Sequence, residues 1–185
     1  MDADLAKLPH SQLRLGDLTT RGATPFSVTI SAEERQAIAD ALGIITIKKL
    51  SFSGQLEPIG KSDWALDATL GATVVQGCVI TLVPVTTRID EAVSRRYVTD
   101  LPDIMSGEIE MPEDDTIDPL PATLDLAAVM IEALSLALPQ YPKAEGATLG
   151  EAVFAEDGVA PMSDDEAKPF AELASFRERF EKKEE

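Results

Sequence analysis

Cysteine and histidine are nearly absent from this chain of 185 residues: Cys78 is its only cysteine and His10 its only histidine. One cysteine excludes an internal disulfide. A structural zinc site needs about four Cys or His ligands, so the composition predicts no metal site. A phosphate-binding glycine loop is missing too, because Gly54, Gly60 and Gly71 lack the Gly-x-Gly-x-x-Gly or Gly-Lys-Ser/Thr context. We therefore expect no bound cofactor.

Long apolar runs are also missing. The longest run, Leu124 to Leu138, has 15 residues and is interrupted by Asp125, Glu132 and Ser135, whereas a membrane-spanning helix needs about 20. The first five residues, Met-Asp-Ala-Asp-Leu, show neither the basic nor the apolar region of a signal peptide. The sequence therefore predicts a cytoplasmic protein with no membrane partner.

Acidic residues are abundant but unevenly distributed. Residues 1–99 contain 10 Lys/Arg and 11 Asp/Glu, whereas residues 100–185 contain 6 Lys/Arg and 22 Asp/Glu. Nucleic-acid affinity comes largely from Lys and Arg that displace counterions, so a field of this sign opposes binding to a phosphate backbone. A basic protein partner fits this field better. The alternative is that the acidic excess only keeps the chain soluble.

The first hundred residues have the patterns of one helix and several strands. Ser31 followed by Glu34 is a capping box, and Gly43 stands where a C-terminal glycine belongs, so we predict a helix over residues 32–42. Runs rich in β-branched residues predict strands at residues 44–52, 66–75, 78–85 and 93–98, with short extended segments at 11–18 and 25–30. Because no helix-length crossover separates the four strands, the sheet should be antiparallel.

The second half predicts one buried helix between polar segments. Residues 100–118 carry eight acidic residues and no Lys or Arg, which is typical of a solvated loop. Residues 124–138 are apolar on nearly all sides, so we expect a helix buried against the sheet and ended by Pro139 and Pro142. The predicted class is α+β, with a single core domain over residues 1–145, followed over 146–185 by a polar linker and a C-terminal amphipathic helix.

The C-terminal helix is predicted from a stripe of large apolar side chains. Phe170, Leu173, Phe176 and Phe180 recur at helical spacing on one face. Such a face either packs on the protein's own sheet or receives a partner. We therefore keep Phe170, Leu173 and Phe176 as candidate partner contacts.

Catalytic signals are weak. Cys78 has neither a base nor a positive charge among its sequence neighbours, so a buried residue in a strand is the favoured interpretation over a nucleophile. His10 lacks a hydrolase constellation, and the acidic clusters lie in polar stretches that leave them solvated. The sequence predicts a protein that is not an enzyme. Arg95 and Arg96 form the one basic pair suited to phosphate, and they are also candidate contacts.

Three blocks of the sequence resemble the YceD family of large ribosomal RNA subunit accumulation proteins. They are Cys78-Val-Ile-Thr-Leu-Val-Pro84, Leu124-Asp-Leu through Leu136-Ala-Leu-Pro-Gln-Tyr-Pro142, and Lys168-Pro-Phe-Ala-Glu-Leu-Ala-Ser-Phe-Arg177. The resemblance implies a ribosome-biogenesis role in the synthesis, processing or stability of 23S ribosomal RNA. Relatives are associated with the gene for a small basic protein of the large subunit, which implies a basic ribosomal or assembly protein as partner.

The chain departs from the family at its cysteines. Many relatives have a Cys-x-x-Cys where this sequence has Cys78 and Thr81, and a further cysteine after the Leu-Pro-x-x-Pro stretch, where this sequence has none. The resemblance therefore implies that Cys78 is the remnant of a site present in relatives. Two other functions stay open: direct RNA binding through Arg95, Arg96 and the sheet surface, and, with least support, a small cysteine-dependent enzyme.

Overall fold

The computed structural model describes residues 8–99 and 116–148. The chain divides into two units, and the first, Met1–Glu145, is described here by itself. The described residues form seven strands and two α-helices, together with a 3₁₀ turn at Leu15–Asp17. The strands are β1 (Gln12–Arg14), β2 (Thr24–Val28), β3 (Thr46–Ile59), β4 (Asp63–Gly77), β5 (Pro84–Val98), β6 (Ile117–Pro119) and β7 (Thr123–Asp125). The helices are α1 (Ala32–Ala41) and α2 (Leu126–Ala137).

Among these residues, five strands form the main sheet in the order β2-β3-β4-β5-β6. The first four are antiparallel neighbours, whereas β6 pairs in parallel with the end of β5. Strands β1 and β7 form a separate two-stranded sheet. The mixed α+β class predicted from the sequence is confirmed, and the sheet departs from the expected antiparallel order only at β6.

Helix α1 begins at the predicted residue and ends at Ala41, one residue before the predicted end. The Ser31 hydroxyl accepts a hydrogen bond from the Glu34 amide at 3.2 Å, and the Glu34 carboxylate accepts one from the Ser31 amide at 2.7 Å. Gly43 follows the helix with φ of 66°, a conformation that costs a glycine little. The capping box and the terminating glycine are both confirmed.

Helix α2 is shorter than predicted because its first residues belong to a strand. Leu124 lies in β7, and the Asp125 carboxylate caps the helix by accepting hydrogen bonds from the Ala127 and Ala128 amides at 3.0 and 3.4 Å. Asp125 also accepts from the Ser11 amide at 2.9 Å and lies 2.6 Å from the His10 ring. Asp125 therefore ties the start of α2 to the N-terminal segment, a contact between residues more than a hundred positions apart.

The core lies on one face of the main sheet. Its buried side chains come from alternate positions of β3, β4 and β5 and from both helices, and those that are fully enclosed include Phe52, Leu56, Leu66, Leu70, Ile38, Met130 and Leu134. Gly54 allows β3 and β4 to approach closely, because a Cβ there would lie 2.1 Å from the Asp67 carbonyl oxygen. The opposite face of the sheet carries exposed polar residues.

The strands predicted at 44–52 and 66–75 correspond to β3 and β4, which extend further, and the other two predictions differ more. Residues 78–85 do not form a strand: residues 78–83 form a turn, and Leu82 has a positive φ of 60°. The strand predicted at 93–98 is the end of the much longer β5. The β-branched residues of 78–83 favour a strand, but the segment forms backbone hydrogen bonds within a turn instead of a strand ladder. Leu82 N–H donates to Cys78 O, and Cys78 N–H donates to Val83 O.

Candidate functional site

The two candidate arginines point to opposite faces of the main sheet, because successive strand residues alternate. Arg95 lies on the core face with its side chain 19% exposed, and its guanidinium donates to the Glu132 carboxylate on α2 at 2.7 Å. Its Nε is 3.9 Å from Asp118. Arg96 lies on the exposed polar face. The structure therefore does not bring the two guanidiniums together into one basic patch.

Cys78 lies at the start of the turn that joins β4 to β5, and its side chain is fully buried. Its sulfur accepts hydrogen bonds from the amides of Ile80 and Thr81 at 3.5 Å and from the amide of Ala144 at 3.4 Å. The burial predicted for this residue is confirmed, but its place in a strand is wrong. Several donors directed at one sulfur atom stabilise a thiolate.

The donors around the sulfur lower the pKa of Cys78 to about 6, from an ordinary value of 9.0. The hydrogen bond from the Thr81 side chain contributes most, followed by the Ala144 amide and the Thr81 amide, while burial acts in the opposite direction. Thr81, three residues after Cys78, thus bonds to the sulfur through both its side chain and its amide. Only part of this effect is local in sequence, because the Ala144 amide is 66 positions away from Cys78.

The Cys78 turn and the segment that follows α2 are held together by hydrogen bonds. The Val79 amide donates to the Pro142 carbonyl at 2.9 Å, and the Gln76 side-chain amide donates to the Pro139 carbonyl at 3.1 Å. The Ala144 amide adds its bond to the Cys78 sulfur. Two blocks that carry the family resemblance, 78–84 and 136–142, therefore meet at one end of the sheet.

These joined segments expose large apolar side chains to solvent. We call the group formed by Val79, Leu82, Val83 and Tyr141 the turn patch; Leu82 and Tyr141 are 81% and 78% exposed. Scattered exposed apolar residues are common, whereas grouped ones are typical of interaction surfaces. Neither sequence periodicity nor motif matching identified this group, because its members come from two segments far apart in sequence. One is the turn between β4 and β5, and the other is the segment after α2.

Charge on the described body is nearly balanced. Residues 8–99 contain nine Lys/Arg and nine Asp/Glu, and the described residues 116–148 add only Lys143 against four carboxylates. Most of the net charge of −17 is therefore carried by residues outside the described ranges, at 100–115 and 149–185. In sequence, the first of these acidic stretches lies between the two segments of the turn patch, and the second follows them.

A comparison with known families decides where the chain belongs. The family model described as "Large ribosomal RNA subunit accumulation protein YceD" matches residues 66–177, more than half of the chain. The chain belongs to the YceD family. The match includes all three blocks singled out in the sequence, and YceD membership implies a role in the accumulation of large-subunit ribosomal RNA. No curated protein and no solved structure is significantly similar to this chain.

Among residues 8–99 and 116–148, no group of three or more His, Cys, Asp or Glu side chains is arranged to hold a metal ion. In the same ranges no helix is long and apolar enough to cross a bilayer. The predicted C-terminal helix with Phe170, Leu173 and Phe176, and most of the predicted acidic loop, lie outside the described residues.

Proposed function

We propose that this YceD protein supports accumulation of large-subunit ribosomal RNA by binding a basic ribosomal or assembly protein, and that the turn patch is the centre of that contact. The observation that carries the proposal is the exposure of Val79, Leu82, Val83 and Tyr141 on two joined segments. Protein interfaces are built around a few apolar anchors of this kind, enclosed by a more polar rim.

The frame beneath the patch is rigid enough to present it. Pro142 is buried, and its carbonyl is fixed by the Val79 amide. The Cys78 sulfur gathers amides from both segments, so the turn and the segment after α2 are held in one arrangement. Anchors held on fixed backbone lose little conformational freedom when a partner binds.

The charge distribution supports a basic partner. The body that carries the patch is nearly neutral, whereas the flanking sequence at 100–115 contains seven carboxylates and no Lys or Arg. Such a segment attracts a basic protein over a distance of about 8–10 Å at physiological salt. Affinity would then come from the apolar patch, and the speed of encounter from the acidic residues.

Direct RNA binding has less support from the geometry. Arg95 is already paired with Glu132 and Asp118, and Arg96 faces the other side of the sheet. One exposed guanidinium contributes little to phosphate affinity, which grows with the number of cations that contact the backbone. The use of Arg95 and Arg96 as contacts stays a prediction.

The proposal is tested by changing Leu82 in a cell that lacks its own copy of the protein. Leu82 has a positive φ, which asparagine tolerates better than leucine, so Leu82→Asn removes an apolar anchor without loss of stability. We expect the variant to melt like the original protein while large-subunit RNA falls relative to small-subunit RNA.

The matched control is Leu82→Met, which keeps an apolar side chain at the same position and should restore the RNA. Normal RNA levels in the Leu82→Asn strain, with normal amounts of the protein present, would overturn the role of the turn patch.

A further inference from the structure

Within the described residues, strand β5 has an open edge over most of its length. Strand β6 covers only Arg96–Val98, where the Arg96 amide donates to the Thr116 carbonyl at 2.8 Å and the Val98 carbonyl accepts from the Leu120 amide at 2.9 Å. The backbone groups of even-numbered residues therefore point away from β4. Since the β4–β5 register has no shift, the same holds for Thr86, Arg88, Asp90, Ala92 and Ser94.

These five residues present a row of unpaired backbone donors and acceptors. Among residues 8–99 and 116–148, no hydrogen bond reaches their outward N–H or C=O groups. A long regular edge of this kind is a template for another strand. Natural proteins commonly block such an edge with charged residues. The charged side chains along the β5 edge therefore determine which strand can pair with it.

We infer that the open edge of β5 binds the same edge of a second copy of this chain, antiparallel, with the twofold axis passing through Ile89. In this register Arg88 of each copy lies opposite Asp90 of the other, which gives two ion pairs on the exposed face of the sheet. Opposite charges facing each other across antiparallel strands are stabilising, and like charges are destabilising.

Neighbouring registers are excluded by charge. Outward backbone groups must face outward backbone groups, so the axis has to pass through a residue. An axis through Arg88, Asp90 or Glu91 would place that charged residue opposite itself. Among the central positions of the edge, only Ile89 makes the strand complementary to itself.

The core side of the interface combines apolar contacts with a pairing of Thr87 and Glu91 in this register. Ile89 lies opposite Ile89, and Val85 of one copy lies opposite Val93 of the other. A groove of about 450 Å³ runs beside Val93 along the edge, and its α2 side is lined by Ala133, Leu136 and Ala137. Val85 of the second copy would enter this groove and cover Leu136, which is 76% exposed.

Backbone hydrogen bonds would also join the two copies. Pairing from residue 84 to residue 94 of both copies forms about ten hydrogen bonds, since each outward-facing pair exchanges two and Pro84 has no N–H to donate. The net charge of the chain does not oppose the contact locally, because residues 8–99 contain equal numbers of cations and carboxylates.

Within one copy, Arg88 already donates to Asp90 through its Nε at 2.7 Å, and this bond lowers the pKa of the Asp90 carboxyl. Both residues keep more than half of their side chains exposed, so each retains acceptors or donors for a second partner. The experiment must therefore separate an intermolecular pair from the intramolecular one.

Two charge reversals in the full chain make that separation. Arg88→Asp leaves two carboxylates at the paired positions, and Asp90→Arg leaves two guanidiniums. Each variant repels its own kind in the proposed register, but an equimolar mixture restores both ion pairs across the interface. Mass is measured by light scattering after size exclusion, for the unchanged chain, for each variant and for the mixture.

We expect the unchanged chain to have about twice its mass of 19.8 kDa. Each variant alone should dimerise at least about tenfold more weakly, and the mixture should return to the dimer mass with one chain of each kind. A monomeric unchanged chain, single variants that dimerise normally, or a mixture that stays monomeric would each overturn the inference. Unchanged circular dichroism in both variants confirms that folding is intact.

Discussion

Two regions of this YceD protein handle charge in opposite ways. In residues 8–99 cations and carboxylates are equal in number, and Arg88 is held in a local pair with Asp90. Residues 100–185 have nearly four times as many carboxylates as cations. Paired charges act on their immediate neighbours, whereas an unbalanced stretch acts as a field on an approaching partner. Under the proposed function, the first region supplies most of the shaped contact surface, and the second supplies a long-range attraction for a basic partner.

The largest loss of stability is expected from a substitution in the core of the charge-balanced region, residues 8–99. Phe52 is fully buried, and its ring centre lies 5.6 Å from that of half-buried Phe26. Phe52→Ala should lower the free energy of unfolding by about 3–5 kcal/mol, because it removes a large side chain and leaves a cavity. Urea denaturation measures this loss. As a control, Glu113→Gln/Asp114→Asn/Asp115→Asn should change stability by less than about 0.5 kcal/mol; a comparable loss would mean that the acidic residues are structural.

A smaller effect is expected at the cap of α2. Asp125→Ala removes hydrogen bonds from the Ala127, Ala128 and Ser11 amides. We expect a loss of about 1–2 kcal/mol, larger than that of Ser31→Ala at the start of α1, which removes one accepted bond. Thermal melting compares the two variants, and an equal loss would show that the link from α2 to the N-terminal segment contributes nothing.

The hydrogen bonds at Asp125 also predict that the stability of the fold depends on pH in the acidic range. Burial opposes ionisation of Asp125, but the hydrogen bonds from Ser11, His10, Ala127 and Ala128 outweigh it and hold the pKa of this carboxyl below its usual value. Its stabilising contribution is therefore complete above the unfolded pKa of about 4 and is lost as the pH falls through the lower folded value. Asp125→Asn should flatten this part of the stability profile.

The effect expected at Cys78 appears only as the pH rises above about 6. Because its folded pKa of about 6 lies below the ordinary value of 9.0, the thiolate stabilises the fold above the ordinary value, and this contribution decreases as the pH falls towards 6. Cys78→Ser should reduce the rise in stability over this interval, measured by denaturation at a series of pH values. A thiol that titrates near 9 in the folded protein would contradict the effect of the surrounding amides.

Local sequence signals predicted the elements whose causes are local. The capping box at Ser31 and Glu34, the glycine after α1 and the strand character of β3 and β4 all follow from neighbouring residues. The turn at 78–83 was missed because valine and isoleucine also occur in turns that are fixed by distant partners. The Cys78 environment and the turn patch both depend on the segment 139–144, and no spacing in the sequence shows that it returns to the end of β4.

The alternation of side chains along a strand predicts that Arg95 and Arg96 do not form one basic patch. Arg95 and Arg96 are adjacent in a predicted strand, so their side chains had to face opposite sides of the sheet. The ion pair of Arg95 with Glu132 could not be predicted, because it depends on how α2 lies on the sheet. The stripe of Phe170, Leu173 and Phe176 remains a prediction, and substitution of each residue by alanine, followed by melting, distinguishes packing on the sheet from binding to a partner.

Binding of the purified full chain to two competing ligands tests the central claim most directly. The ligands are the basic proteins released from dissociated large ribosomal subunits and the isolated large-subunit RNA, both at physiological salt. We predict that the chain retains at least one basic protein, that Leu82→Asn weakens this binding about tenfold while Leu82→Met does not, and that the RNA binds weakly. Tight RNA binding that is unaffected by Leu82→Asn, with no basic protein retained, would contradict the proposal.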